Sequence, residues 1–340
     1  MKILSELTYK ELQDFILSLG ESKFRANQIK NWLYFKNAST IDDMTDLSLK
    51  FRELLKTKAI ITTTKIKQRQ LSKDGTVKYL LEFEDGNCVE TVLMRFDNRA
   101  NLTACISSQV GCSMGCKFCA TAKRGFIRNL SVYEIIDQIL TIQRDLNLKV
   151  TNVVFMGQGE PLLNYDNVLK AIDFINDELQ ISKRRITLST CGIIPKIKKL
   201  AEIDFQPTLA VSLHGTSHLS RASIMPIENK YDIDSLLKTL KDYTDSVSRR
   251  VTIEYTLIKD INSSIQDAKN LCHLLKDIKC NINLIVYNPC KDDKFEKPTK
   301  DQIQKFKYIL EHSNKKVTIR LERGADIDAA CGQLSGKVCS

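Results

Sequence analysis

Cys112, Cys116 and Cys119 lie within eight residues of one another and follow the spacing C-x3-C-x2-C. A structural zinc site usually has four protein ligands in two pairs, and a four-iron cluster usually has four cysteines. Three thiolates close together leave one iron without a protein ligand, so the spacing favours an iron–sulfur cluster with an open coordination position. Gly111 and Gly115 allow the loop to fold tightly enough for three sulfurs to converge. The alternative is a set of free or zinc-binding thiols in a cysteine-rich protein.

This cysteine spacing, with the aromatic Phe118 directly before the last cysteine, resembles the signature of the radical S-adenosylmethionine (SAM) enzymes. The resemblance implies that Cys112, Cys116 and Cys119 hold a [4Fe–4S] cluster. The fourth iron of the cluster would bind the amino and carboxylate groups of SAM, which is cleaved reductively there.

Further polar residues follow predicted strands. In the stretch Met156–Pro161, glycines permit close backbone approach, and Glu160 could accept a hydrogen bond from the SAM ammonium group. Each such residue alone is more often a turn or cap residue. Together, at successive strand ends, they predict the polar lining of a cofactor site. The candidates are Gly159, Glu160, Ser189, Ser212, Leu213, His214 and Asn288.

From about residue 100 the chain alternates between predicted strands and helices. One helix shows the buried stripe Val132, Ile135, Ile136, Ile139 and Leu140 at helical spacing. Repeated βα units predict a parallel sheet with helices outside, and such folds carry their chemistry at the carboxyl ends of the strands. Periodicity alone leaves open a partial barrel or a doubly wound sheet. The predicted strands are Thr103–Val110, Asn152–Met156, Arg185–Thr190, Thr208–Leu213, Val251–Ile258, Asn281–Tyr287 and Val317–Leu321.

The first hundred residues have a different pattern. Apolar spacing predicts helices at Thr8–Leu19, Arg25–Phe35 and Leu47–Leu55, and alternation predicts a hairpin of Val77–Phe83 with Val89–Phe96. We therefore predict two domains, a small α+β appendage at residues 1–97 and an α/β core at residues 98–340.

The composition limits the class of protein. Of the 340 residues 43% are apolar, and no stretch approaches 18 consecutive apolar residues, so no membrane span is expected. The start of the chain lacks the apolar core of a signal peptide. Eleven cysteines without an export signal therefore predict reduced thiols in the cytoplasm. The net charge of +10 favours a polyanionic partner such as RNA without establishing one.

A last motif, Ala325–Leu334, places Cys331 among small residues and glycine. With it, the chain resembles the RlmN/Cfr family of radical SAM adenine methyltransferases over nearly its whole length. The resemblance implies a partial (β/α)6 radical SAM barrel with a small RNA-binding appendage. The matching stretches are Phe24–Ile29, Val89–Val92, Cys105–Cys112, Cys116–Thr121, Phe155–Gly157, Leu188–Thr190, Gly192–Pro195, Ser212–His214, Met225–Ile227 and Asp326–Leu334.

The resemblance also implies a reaction that uses two SAM molecules per turnover. One methylates Cys331. The second is cleaved at the cluster, and the radical that forms removes hydrogen from the S-methyl group, which then adds to the adenine ring. Cys105 would help to resolve the protein–RNA adduct, leaving a disulfide with Cys331. Glu90 matches a proton acceptor of the family; by itself it is typical of a solvated strand carboxylate.

The expected target is C2 of adenosine 2503 in 23S rRNA, together with adenosine 37 of some tRNAs. The stretches Gly125–Leu130 and Glu160–Asn164 resemble the C2 enzymes, whereas Met225 and Tyr287 resemble Cfr-type enzymes, which methylate C8 of the same rRNA adenosine. Gln158 replaces a methionine common in the family. An electron donor such as flavodoxin, and action as a monomer, are also expected. A non-catalytic metal-binding module that binds RNA is the alternative from another class.

Overall fold

The computed structural model describes residues 1–96, 99–204, 206–289, 294–320 and 322–335, except for the side chains of residues 99 and 100. The predicted domain boundary between residues 97 and 98 therefore lies outside the described residues. So does Leu321, the predicted end of the last strand. Among the helices in these described ranges, none is both long and apolar enough to cross a membrane.

One ten-stranded sheet forms the centre of the described structure, in the order β14-β13-β12-β11-β10-β9-β6-β5-β4-β3. The strands from β6 to β14 in this order are parallel, and β5, β4 and β3 continue the sheet antiparallel. Two small two-stranded sheets, β1-β2 and β7-β8, complete the described strands. The strands are β1 Lys2–Ile3, β2 Ala59–Ile60, β3 Lys65–Leu71, β4 Val77–Glu82, β5 Cys88–Phe96, β6 Arg99–Cys105, β7 Gln109–Gly111, β8 Phe126–Asn129, β9 Asn152–Phe155, β10 Ile186–Thr190, β11 Thr208–Ser212, β12 Val251–Leu257, β13 Cys280–Val286 and β14 Lys316–Ile319.

The helices begin where the sequence supplies capping residues. Thr8 and Ser131 each form a capping box with the glutamate three residues later, which satisfies the first free backbone N–H groups. The predicted helices are all present, with ends shifted by a few residues. The described helices are α1 Tyr9–Ser18, α2 Phe24–Tyr34, α3 Leu49–Lys58, α4 Ala120–Arg124, α5 Val132–Leu146, α6 Tyr165–Asp177, α7 Ile194–Ala201, α8 His218–Ile224, α9 Ile233–Ser246, α10 Ile265–Leu275 and α11 Lys300–Glu311.

The predicted α/β class is confirmed: parallel strands with helices between them form the partial (β/α)6 barrel, and antiparallel strands extend its sheet. The appendage strands belong to the same sheet as the core, because β5 pairs with β6 and aligns Val92 with Cys105. The division into two domains stays a prediction.

The predicted strand Thr103–Val110 was wrong in one respect, because it is two strands. β6 ends at Cys105, and the chain leaves the sheet where the Ser107 hydroxyl donates to the Glu90 carbonyl oxygen and the Ser108 N–H donates to the Gln158 carbonyl oxygen. β7 then pairs with β8, and the three-cysteine loop lies between them. The exposed strand β3, strand β8 and the short helices α4 and α8 were not predicted, because short or solvated elements carry weak periodicity.

Gln158 is buried, and neither atom of its side-chain amide has a hydrogen-bond partner among the described residues. We expect Gln158→Met to raise the free energy of unfolding by about 1–2 kcal/mol, because a buried amide without partners loses its hydration. Urea unfolding of the whole chain measures the change, with Gln304→Met on an exposed face of α11 as the control. An unchanged or lowered stability in Gln158→Met would contradict this prediction.

Candidate functional site

A cleft of about 920 Å³, including its open mouth, lies at the carboxyl ends of the parallel strands. Parallel strands end at the same edge of a sheet, so residues far apart in sequence meet there. The register places Ser212 beside Glu254, and both line the cleft. Most of the predicted site residues share this cleft: Cys112, Cys116, Cys119, Gly159, Glu160, Ser189, Ser212, His214, Asn288 and Cys331.

The loop that carries the three cysteines is anchored at both ends. Gly111 has a φ of +77°, and a Cβ atom there would lie 1.9 Å from the Gly125 carbonyl oxygen, so only glycine fits. That same oxygen accepts a hydrogen bond from the Cys112 N–H at 2.9 Å. Within the loop, the Lys117 N–H donates to the carbonyl oxygen of Ile224 at the end of α8. The loop is therefore attached to the barrel rim.

Two of the three cysteines, Cys112 and Cys116, lie in a half-buried environment of lowered dielectric. Burial raises the pKa of the Cys112 thiol to about 12 and also raises the pKa of Cys116. Such thiols become thiolates at neutral pH only beside a compensating cation, and metal ions are that kind of cation. In the described part of the chain no three histidine, cysteine or acidic side chains surround a single ion position. This arrangement is compatible with a [4Fe–4S] cluster, because each thiolate of a cluster binds a different iron.

Glu160 is buried at the cleft wall, and its carboxylate already accepts two backbone hydrogen bonds. Its Oε2 atom accepts from the Cys191 N–H at 2.7 Å and its Oε1 atom from the Leu162 N–H at 3.0 Å. Burial raises the pKa of Glu160, while these hydrogen bonds oppose the shift. Glu160 therefore connects the loop after β9 to the residue that follows β10, in addition to lining the cleft.

His214 is buried with a left-handed backbone, at φ +53°. Its Nδ1 atom accepts a hydrogen bond from the Thr256 N–H at 3.0 Å, which leaves the ring proton on Nε2. Burial and the charge of Arg221 lower the pKa of His214 to about 3, so the ring is neutral. The centroids of the His214 and Phe118 rings are 5.1 Å apart in an edge-to-face contact, which places this neutral donor beside the three-cysteine loop.

A buried ion pair lies behind the cleft wall. Arg221 and Glu228 are both fully buried and paired. The Arg221 guanidinium also donates to the carbonyl oxygens of Leu213 and Cys191, the residues that directly follow β11 and β10. Leu213 itself is buried and is not among the residues lining the cleft. Sequence reasoning missed Arg221, because an arginine in a short polar helix carries no local signal of burial.

The C-terminal segment, residues 322–335, places Cys331 between two cavities. On one side Cys331 lines the cleft of the three cluster cysteines, and on the other it lines a second cavity that also contains Cys105. The Ala120 N–H donates to the Gly332 carbonyl oxygen at 2.7 Å, and the Thr121 hydroxyl donates to the Leu334 carbonyl oxygen at 2.6 Å. The residues that follow the cluster loop therefore hold the segment that carries Cys331.

Cys105 and Arg320 share the second cavity with Cys331. Burial raises the pKa of Cys105 to about 12, and the nearby Cys331 adds to the shift. Arg320 is close enough to both thiols for Cys331, and to a smaller degree Cys105, to raise the pKa of the guanidinium. Its Nη1 atom donates to the Met156 sulfur at 3.0 Å. Sequence reasoning missed Arg320, which follows β14 at the strand end, where a charged residue could have indicated a role.

Glu90 does not line either cavity; it lies on β5 beside them. Its Oε1 atom pairs with Lys78 Nζ at 3.1 Å, and both side chains are more than nine-tenths buried. Lys78 Nζ also donates to the Asp328 carbonyl oxygen at 3.2 Å. Glu90 is therefore not a solvated strand carboxylate, and a lysine connects it to the segment of Cys331.

Glu254, another residue that sequence reasoning missed, lines the cleft from β12. Its Oε1 atom accepts from Asn283 Nδ2 at 3.0 Å, while the buried Oε2 atom has no partner in the described ranges. Burial raises the pKa of Glu254. A carboxylate in an otherwise apolar and hydroxylated strand was the signal available in the sequence.

Comparison with known proteins agrees with this geometry. Residues 106–272 match the Radical SAM superfamily, and residues 3–61 match the ribosomal RNA large subunit methyltransferase N-terminal domain. The crystal structure of a radical SAM methyltransferase from Sphaerobacter thermophilus is 37% identical, with a TM-score of 0.92, and covers 99% of this chain and 100% of that chain.

The fold and site are those of a radical SAM methyltransferase, a class whose cofactors are a [4Fe–4S] cluster and SAM. The probable dual-specificity RNA methyltransferase RlmN of Lachnospira eligens is 44% identical, over 99% of this chain and 97% of that protein. The protein of the same description from Clostridium novyi is 45% identical, over 98% of both chains. The chain belongs to the RlmN family of RNA methyltransferases.

Proposed function

We propose that the protein methylates C2 of adenosine 2503 in 23S rRNA and of adenosine 37 in some tRNAs, through an S-methyl group on Cys331. The position of Cys331, between the cleft of the cluster cysteines and the cavity of Cys105, is the observation that carries this proposal. C2 of adenine has no useful nucleophilicity, so a polar transfer from the SAM sulfonium cannot methylate it, and a methyl group on Cys331 that is activated as a radical offers another route. The relatives described as dual-specificity enzymes support two classes of RNA substrate.

The cysteines have different proposed roles according to the cavity that each one lines. Cys112, Cys116 and Cys119 would hold the [4Fe–4S] cluster, which would supply the electron for SAM cleavage. Cys331 carries the methyl group from the cleft to the base. Cys105, in the second cavity, resolves the bond between protein and RNA.

The other residues bind SAM or move a proton. Gly159 lets the cleft wall pack closely against Gln109, because a Cβ atom there would lie 2.6 Å from Gln109 Cβ, and its backbone lines the cleft. Glu90, which Lys78 connects to the C-terminal segment, is the residue that we propose as the proton acceptor of the reaction. The SAM-binding residues that we propose are those that line the cleft: Gly159, Glu160, Ser189, Ser212, His214 and Asn288. Leu213, which the sequence also suggested, is buried outside the cleft lining and is not proposed to contact SAM.

Mass mapping of the modified adenosine tests the target atom. Single-nucleoside analysis of rRNA treated with the reconstituted protein should show 2-methyladenosine. The 8-methyl isomer would instead support the Cfr-type reaction, to which Tyr287 at the cleft wall points. Unmodified adenosine at this position would exclude both reactions.

We expect RNA affinity to fall steeply with salt. The net charge of +10 favours contacts to phosphates, and each neutralised phosphate releases counterions. Affinity for an rRNA fragment should fall at least about tenfold between about 50 and 200 mM salt. Filter binding across this range measures the slope, and a flat response would mean that the charge is incidental.

We also propose a flavodoxin-type electron donor and action as a monomer in the cytoplasm.

A further inference from the structure

The appendage touches the segment of Cys331 through the turn between β3 and β4. The Ser72 hydroxyl donates to Asp326 Oδ1 at 2.5 Å, and the Lys73 N–H donates to Asp326 Oδ2 at 3.1 Å. Asp326 is exposed, so these two bonds do not serve to neutralise a buried charge. They instead fix the position of Asp326, five residues before Cys331.

The contact is reciprocal. The Gly324 N–H donates to Asp74 Oδ2 at 2.9 Å. Although burial acts in the opposite direction, hydrogen bonds from Thr76 and Gly324 lower the pKa of Asp74 to about 2. Gly324 has a φ of +64°, and a Cβ atom there would lie 2.7 Å from Ala329 Cβ and 2.9 Å from Thr76 Cγ2. The turn and the segment are therefore in close contact.

Lys78 adds a third connection from β4. Its ammonium group contacts both Glu90 Oε1 and the Asp328 carbonyl oxygen. Asp328 has a left-handed backbone at φ +51°, three residues before Cys331. The three contacts of Asp326, Asp74 and Lys78 form what we call the clasp.

The clasp holds the C-terminal segment before Cys331, and the residues that follow the three-cysteine loop hold it after Cys331. Outside the clasp, the Ala120 N–H donates to the Gly332 carbonyl oxygen and the Thr121 hydroxyl donates to the Leu334 carbonyl oxygen, one and three residues after Cys331. Cys331 thus lies between two anchors, one in the appendage and one beside the cluster loop. Loss of either anchor frees the segment on one side.

We propose that the clasp makes the appendage part of the methyl-transfer machinery: Asp74, Lys78 and Asp326 are positioning residues that hold Cys331 for methylation. This inference rests on the proposed function of Cys331. In that step the Cys331 sulfur forms a bond to the methyl carbon, the bond from that carbon to the sulfonium sulfur breaks, S-adenosylhomocysteine leaves, and the thiol proton passes to solvent. The transfer is not a redox step, so no oxidant or reductant is consumed.

Methylation of Cys331 distinguishes a positioning role of the appendage from a role in RNA binding. Methylation of Cys331 involves no RNA, so an appendage that only bound RNA would not influence it. Small displacements of a reacting atom lower rates strongly. The clasp therefore predicts an effect of appendage residues on a reaction without RNA.

The test compares Asp326→Asn with Asp301→Asn, a matched change at an exposed aspartate on α11. In Asp326→Asn the side chain keeps its size, but an amide replaces one of the two acceptors. The reconstituted holoenzyme receives SAM with a deuterated methyl group, and mass spectrometry follows Cys331. At saturating SAM the rate constant should fall at least about tenfold in Asp326→Asn. The SAM concentration for half this rate, the iron content and the RNA affinity should stay within about twofold of the parent values.

Lys78→Met supplies the second variant, with Lys305→Met on α11 as its control. Hydrogen exchange adds a readout that does not depend on activity: residues 324–332 should exchange faster in Asp326→Asn and Lys78→Met, and at the parent rate in both controls. Unchanged methylation and unchanged exchange would overturn the inference. A loss of RNA affinity with normal Cys331 methylation would also overturn it, because the turn would then be an RNA contact. If the parent never methylates Cys331, the proposed function itself fails, whatever the exchange shows.

Discussion

Cys331→Ala is expected to abolish RNA methylation and to form no covalent species with RNA, whereas Cys105→Ala should stall as a covalent protein–RNA adduct. The reason is the order of steps. Cys331 must carry the methyl group before any carbon bonds to the base, and Cys105 acts only after that bond exists. The geometry is suited to this order, because Cys331 lines both cavities and Cys105 only the second.

The adduct of Cys105→Ala should migrate on a denaturing gel as a band that nuclease removes, and Cys105→Ala/Cys331→Ala should lack it. Cys272→Ala, at a half-buried thiol on α10, is the control and should behave as the parent. Normal turnover of Cys105→Ala would make Cys105 a core thiol. Two equally inactive single variants without adduct would contradict the proposed division between the thiols.

Replacing any one of Cys112, Cys116 and Cys119 by alanine is expected to abolish cluster retention and SAM cleavage. With three protein ligands, the loss of one leaves two irons open, and a cluster held by two thiolates on one short loop is readily lost. The structure anchors this loop through Gly111 and the Lys117 N–H, so the loop itself should persist in the variants.

Anaerobic reconstitution with iron and sulfide measures the effect through the visible absorbance of the cluster and the yield of 5′-deoxyadenosine. Cys280→Ala, at a buried thiol on β13, is the control for general destabilisation. A cluster-cysteine variant with full absorbance and full SAM cleavage would refute the assignment. A parent protein that binds metal but never cleaves SAM would support the non-catalytic alternative.

The sequence by itself determined the features that depend on residues close together in the chain. Capping residues such as Thr8 and Ser131 set helix starts, alternation and βα repetition set the fold class, and the three-cysteine spacing indicated the cluster loop. The strand ends of a parallel sheet meet at one edge, so residues predicted there were expected to be neighbours. The shared cleft agrees with that expectation for all but Leu213, Cys105 and Glu90 among the predicted site residues.

Only the tertiary structure decided which distant residues meet. Ser72 and Asp326 are 254 residues apart, and Lys78 and Asp328 are 250 apart. These contacts depend on β5, β4 and β3 continuing the barrel sheet, and no local periodicity encodes strand order. The same holds for Arg221, because a charged side chain is buried only where the fold supplies its partners, and for the half-buried Arg320, which lines both cavities. Short-range patterns specify elements, whereas the order in which the sheet assembles them specifies what surrounds Cys331.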